Sequence, residues 1–293
     1  MSTTIRRAVI PAAGLGSRLL PLTKATPKEM LPVGDKPVIE HTVRELVASG
    51  VTDITIVVSG GKGLIQDHFR PNLALVAQLR ADGRNAYADA VEEVGDLSRR
   101  GHITYLDQHG PYGNGTPVLN AARNLGDEPM LVLWPDDVFV AGTPRAQQLI
   151  KAYEATSCPV LALMPVTPPP RKRGGFSLDP TGSHDGQALT AAEAGSQRTT
   201  PLRGSESQDA FPARPEGPDS HARSGMDPAD SHRYGVPVVK EDLNDGLLRI
   251  TGLVEKPQPQ DAPSAYAAIG GYVVTLGIVD ELLAQEVGET PSA

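Results

Sequence analysis

Apolar residues along this chain fall into short runs of two alternating kinds. Arg7–Ala12 is a nearly continuous apolar run of strand length, and 53–59 (D-I-T-I-V-V-S) is rich in β-branched residues. Both read as buried strands. Between them, Ile39, Val43, Leu46 and Val47 recur at helical spacing within 37–49, and Gly50 stops the pattern. Strand, helix, strand predicts a right-handed parallel crossover. Further along, 64–69 and about 71–94 read as helical, 102–108 as a strand, 116–124 as a helix and 130–137 as a strand. An amphipathic helix over 144–156 and a strand over 158–166 follow. This alternation predicts an α/β fold, a doubly wound, mostly parallel sheet flanked by helices.

The pattern breaks after residue 166. From 171 to 225 there is no Val, Ile, Met, Tyr, Trp or Cys. Such a segment cannot bury enough apolar area to offset its ordering entropy, which predicts a disordered segment over 167–226. Strand patterns return at 234–240, 248–254 and 268–274, with a turn at 244–246 and a helix over 277–285. A polar tail over 288–293 has nothing to anchor it. The expected organisation is therefore 1–166, the disordered segment 167–226, and a final part 227–293 of the same domain.

Composition narrows the function. With 39% hydrophobic and 21% charged residues, the 293-residue chain is ordinary for a globular protein. A net charge of -8 argues against a nucleic-acid surface, which needs a basic face. A nucleotide needs only a local cluster of cations, and Arg18, Lys24, Lys28 and Lys36 supply one. Cys158 is the only cysteine; no internal disulfide is possible, which fits a reducing cytoplasm. At the head of an apolar run, it reads as a buried structural thiol. No apolar stretch approaches a membrane span, and residues 1–7 are too polar for a signal segment, so no membrane association is expected.

The strand Arg7–Ala12 runs into Ala13-Gly14-Leu15-Gly16-Ser17-Arg18, with Pro21 and Lys28-Glu29-Met30-Leu31-Pro32 beyond. Glycines there let backbone N–H groups approach phosphate oxygens, and Arg18 and Lys28 add fixed positive charge. Leu19 occupies the third glycine place of the dinucleotide fingerprint, and no P-loop run occurs. A structural strand-to-helix turn would show the same two glycines, but not the cations and prolines at these offsets. Leu133-Trp134-Pro135-Asp136-Asp137 places carboxylates after an apolar strand, where one suits Mg²⁺ and a helix cap is the alternative. Alternate side chains of an extended segment face opposite ways, so both carboxylates are not expected on one ion. Gln108-His109-Gly110-Pro111-Tyr112-Gly113-Asn114-Gly115-Thr116 combines an amide suited to a base edge with glycines that a plain turn would also carry. Gly252-Leu253-Val254-Glu255-Lys256-Pro257 ends a strand in a Glu-Lys pair, a pattern common at solvated strand ends. Gly14, Gln108 and Asp136 all fall at carboxyl ends of predicted strands, where ligands of such sheets bind. The seven histidines show no zinc-ligand spacing, and His41 and His68 read as ordinary, partly buried helix residues.

The glycine turn resembles the signature G-x-G-[ST]-R-x-x-P, followed by K and P, of the sugar-1-phosphate nucleotidyltransferases. The continuation K-A-T-P-K-E-M-L-P-V-G-D-K-P over 24–37 is similar to that of the bacterial UTP–glucose-1-phosphate uridylyltransferases. The resemblance covers about 6–166 and resumes at about 227–280, which implies that the stretch between is an insertion. It implies a Rossmann-like nucleotidyltransferase fold with a small β-rich sugar-binding part, and synthesis of UDP-glucose and pyrophosphate from UTP and glucose 1-phosphate. It further implies Mg²⁺ on Asp136, with Asp137 beside the sugar or supporting the turn. Ala13, Gly14, Gly16, Gln108 and Gly113 would hold the nucleotide. Gly235, Glu255 and Lys256 would hold the sugar phosphate. Lys28 is expected to be the principal triphosphate cation and Arg18 to stabilise charge building on pyrophosphate. Lys24 and Lys36 are expected to be no more than solvated surface charge in that scheme. Family members continue past the end of this chain, through part of a subunit contact that implies a homo-oligomer. In the wider superfamily that part also holds a second acidic Mg²⁺ ligand, which Glu286 and Glu289 do not match. A non-catalytic UTP- or UDP-glucose-binding homologue, and the same chemistry with dTTP or ATP, are the alternative expectations.

Overall fold

The computed structural model describes residues 5–60, 63–111, 113–125, 128–138, 141–166, 233–244 and 246–286. The insertion expected at 167–226 and the tail 288–293 lie outside the described residues. The chain opens with β1 (Arg7–Ala12), a loop of 3-10 turns, and the short strands β2 (Pro32–Val33) and β3 (Lys36–Pro37). There follow α1 (Val38–Ala48), β4 (Asp53–Val58), α2 (Gly63–Phe69), α3 (Leu73–Ala81), α4 (Asn85–Arg100) and β5 (Thr104–Asp107). Next come α5 (Gly115–Leu125), β6 (Met130–Leu133), α6 (Arg145–Thr156) and β7 (Val160–Pro165). The last elements are β8 (Gly235–Asp242), β9 (Leu248–Glu255), β10 (Tyr266–Val274) and α7 (Leu276–Glu286).

Six strands form the central sheet in the order β5-β4-β1-β6-β10-β7. β1, β4, β5 and β6 run parallel, and β10 is antiparallel to both β6 and β7. Burial on both faces explains why these strands read as apolar runs rather than alternations. Ala8, Ile10 and Ala12 of β1, Ile54, Ile56 and Val58 of β4, and Leu131 and Leu133 of β6 pack on one face. There they meet Ile39, Val43 and Leu46 of α1, Phe69 of α2, Leu97 of α4 and Leu149 of α6. Val9, Val57 and Val132 point the other way, against Val118, Leu119 and Ala122 of α5 and Val279 of α7. The two-residue period of the strands thus feeds two cores, as a doubly wound sheet requires.

Four elements differ from expectation. The helix expected at 71–94 is two helices, α3 and α4. Asn72 caps α3 by accepting the Leu75 N–H at 3.1 Å, and Gly83, at φ 71, turns the chain between them. The strand expected to reach residue 137 stops at Leu133, freeing the two aspartates from the ladder. β10, which the resemblance assigns to the small β-rich sugar-binding part, enters the central sheet, and the separate β8–β9 hairpin packs on it through β8. Cys158 is exposed, not buried, because Ser157 ends α6 at φ 53 and β7 begins only at Val160. No helix among the described residues is long and apolar enough to cross a membrane.

Candidate active site

The sheet order reverses between β1 and β6, and the loops leaving their carboxyl ends converge there. Beyond β1, Ala13 is buried, Gly14 is half-buried and Gly16 takes the left-handed conformation at φ 64. A Cβ on Gly16 would lie 3.0 Å from Thr23 Cγ2 and 3.4 Å from Lys28 Cβ. Thr23 also donates its hydroxyl to the Gly16 carbonyl at 2.9 Å. The loop therefore folds back on the glycine turn and brings Lys28 against it. The 3-10 turn Lys28–Met30 is anchored from beneath, with Glu29 fully buried and Met30 packed on the core. Lys28 Nζ reaches Asp136 Oδ2 at 2.7 Å. Arg18 and Lys24 are exposed on the neighbouring 3-10 turns, and Lys36 pairs with Asp35 at 2.7 Å.

Asp136 is exposed and Asp137 half-buried. Neither caps a helix among the described residues. Asp137 Oδ2 accepts the Gly270 N–H of β10 at 2.8 Å. Burial pushes the Asp137 carboxyl up, the neighbouring Asp136 charge adds to this, and the Gly270 N–H, Arg145 and Lys28 oppose it. Trp134 meets the edge of Tyr272 with ring centroids 5.3 Å apart. Burial raises the Tyr272 phenol, and the charges of Asp137 and then Glu255 raise it further. Tyr272 thus lies within the fields of both the β6 loop and the β8–β9 hairpin.

At the end of β5, Gln108 is half-buried and donates its backbone N–H to the Val58 carbonyl at 2.7 Å. Asn120 of α5, 7% exposed, grips the next residue from both sides. Its Oδ1 accepts the His109 N–H at 2.7 Å and its Nδ2 donates to the His109 carbonyl at 3.0 Å. Gly113 is exposed, and Tyr112 lies outside the described residues. Sequence reasoning missed Asn120, which the helical pattern of 116–124 hides among ordinary core positions.

In the hairpin, Gly235 pairs with Glu255. A Cβ on Gly235 would sit 3.0 Å from Leu253 Cδ2 and 3.3 Å from Glu255 Oε2. Lys256 follows at φ 49, donates its N–H to the Tyr234 carbonyl at 3.0 Å and reaches Glu255 Oε1 at 3.2 Å. Both side chains are more than half exposed. His41 contacts the Val33 carbonyl at 2.9 Å, and His68 contacts buried Glu40 at 2.8 Å; both brace the scaffold.

The nucleotidyl transferase family model matches residues 7–176. The UTP–glucose-1-phosphate uridylyltransferase YngB of Bacillus subtilis (strain 168) is 33% identical over 282 residues, which are 96% of this chain and 73% of that protein. This chain belongs to the nucleotidyltransferase family. A UTP–glucose-1-phosphate uridylyltransferase of Streptococcus pneumoniae serotype 4 is 32% identical over 98% of this chain and 76% of its own length. Among solved structures, apo UDP-glucose pyrophosphorylase superposes with a TM-score of 0.70 at 25% identity, over 95% of this chain and 80% of that one. A UDP-glucose pyrophosphorylase complexed with UDP-glucose gives 0.67 at 24% identity, over 95% and 79%, a likeness of fold.

Nucleotidyltransferases of this family generally work with a divalent metal. Among the described residues no three His, Cys, Asp or Glu side chains gather to form a cage. Mg²⁺ keeps several waters and binds through one or two carboxylates plus substrate phosphates. Asp136, exposed and already facing a cation, fits that mode.

Proposed function

We propose that this nucleotidyltransferase joins UTP and glucose 1-phosphate into UDP-glucose, releasing pyrophosphate. A phosphate oxygen of the sugar attacks the α-phosphorus of UTP, and the bond from that phosphorus to the oxygen bridging the β-phosphate breaks. No protein nucleophile is required, so catalysis is positioning and charge neutralisation. Backbone groups of Ala13, Gly14 and Gly16 line the triphosphate, with Lys28 as its principal cation. Arg18 meets the charge that builds on pyrophosphate. Gln108 reads the uracil edge, and Gly113 lets its loop lie against the nucleotide. Asp137, Gly235, Glu255 and Lys256 hold the sugar phosphate. Asp136 and the substrate phosphates would hold Mg²⁺, which when bound offsets the negative charge of the reacting groups. One cysteine suits a reducing cytoplasm.

The observation that carries this assignment is the Lys28–Asp136 contact at the β1–β6 switch point, in a chain a third identical to uridylyltransferases along almost all its length. Pyrophosphate release, measured with UTP, dTTP and ATP in parallel, tests it. Release should require glucose 1-phosphate and Mg²⁺ and be fastest with UTP. A faster rate with dTTP or ATP would move the assignment to another base.

A further inference from the structure

Resting on the proposed reaction, we infer that Arg145 is a positioning residue: it fixes the Asp137 carboxylate through the backbone of Gly270. Gly270 lies at an irregularity of β10. The chain advances from Ala268 to Tyr272 there while its partner β7 moves only from Leu163 to Leu161. Side chains hold both polar ends of the Gly270 residue. Its N–H donates to Asp137 Oδ2 at 2.8 Å, and its carbonyl accepts from Arg145 Nη1 at 2.7 Å.

Two adjacent glycines make the grip possible. A Cβ on Gly270 would fall 2.1 Å from Asp137 Oδ2 and 3.0 Å from Trp134 Cβ. A Cβ on Gly271 would fall 3.0 Å from Arg145 Cδ and 3.1 Å from Leu149 Cδ1. One glycine admits the carboxylate and the other the stem of the arginine.

Arg145 is an unfavourable residue where it stands. It is 5% exposed and opens α6, where a cation opposes the helix dipole. Glu45 of α1 offsets this, with Oε2 3.3 Å from Arg145 Nη2 and Oε1 accepting the Ala146 N–H at 2.7 Å. A buried ion pair is weak evidence for stability in itself. What this one provides is a rigid path from α1 through α6 and β10 to Asp137, leaving the adjacent Asp136 turned to Lys28.

The test is a double-substitution cycle. Arg145→Gln should raise KM for glucose 1-phosphate about tenfold or more, with KM for UTP changed less than about twofold. Asp137→Ala should do the same. In the Asp137→Ala background, Arg145→Gln should add little, because Arg145 acts through Asp137. Arg145→Gln leaves Glu45 without its cation, so Arg145→Lys, which keeps the charge and one donor, is the second variant and should recover part of the loss. Equal penalties in both backgrounds, or KM values for both substrates rising together, would overturn the inference. Hydrogen exchange at the Gly270 amide reads the grip without turnover. It should be slow in the parent and faster in both single variants; unchanged exchange would refute the grip even if the proposed reaction failed.

Discussion

Lys28 and Asp136, 108 residues apart in sequence, meet at 2.7 Å across the point where the sheet order reverses. The pair is partly exposed, at 23% and 47%, so its contribution to stability is under about 1 kcal/mol. Lys28→Ala should therefore lower kcat/KM for UTP by about 10²–10³ while shifting the melting temperature little. Pyrophosphate release and a thermal melt on the same sample check this. Full activity in the variant would remove Lys28 from its role.

Gly16 holds the loop in a conformation that L side chains rarely adopt, with Thr23 3.0 Å from where a Cβ would be. Gly16→Ala should lose about 1–2 kcal/mol, measured as a lower urea midpoint at unchanged slope. A neutral result would mean that the turn relaxes freely.

Asn120 carries both hydrogen bonds to the His109 backbone. Asn120→Ala should raise KM for UTP about tenfold, since a loop losing two bonds forfeits about 1–3 kcal/mol of order. It should also speed exchange at the His109 amide. Normal KM with fast exchange would show that the 108–115 loop does not touch the nucleotide.

Glu40 is buried, which by itself would raise its carboxyl, but hydrogen bonds from His68 and Arg44 and their charges hold it below the usual glutamate range. A depressed carboxylate stabilises the fold above its unfolded pKa and loses that contribution as pH falls through the folded value. The stability difference between the parent and Glu40→Gln should thus shrink as pH falls below the ordinary glutamate pKa of about 4.3. Denaturant titrations at several pH values measure it. A difference that widens in acid would reverse the sign of this argument.

Much of this architecture is written locally. Arg7–Ala12 and 53–58 carry enough consecutive apolar residues to read as strands, and Gly14 and Gly16 follow the first of them, as Gln108 follows β5 and Asp136 follows β6. The split between α3 and α4 has a local signal too, in Asp82-Gly83, which the pattern of apolar positions alone does not show. Other features depend on partners far along the chain. Nothing near residues 266–274 tells β10 to enter the central sheet antiparallel; that choice is made by Leu131, Leu133 and the β7 ladder. The Glu45–Arg145–Gly270–Asp137 path spans three elements and a loop, and its only local trace is the Gly270-Gly271 pair. The exposure of Cys158 follows from where α6 stops, which a run of apolar residues cannot mark.

The most direct test follows the phosphorus atoms of one reaction mixture by ³¹P NMR, with the unmodified chain, UTP, glucose 1-phosphate and Mg²⁺. The UTP α-phosphorus signal should be replaced by that of UDP-glucose as pyrophosphate appears, and the conversion should stop when Mg²⁺ is chelated or glucose 1-phosphate is left out. UTP that binds yet stays unconverted with every component present would contradict the assignment and leave a nucleotide-binding protein without transferase activity.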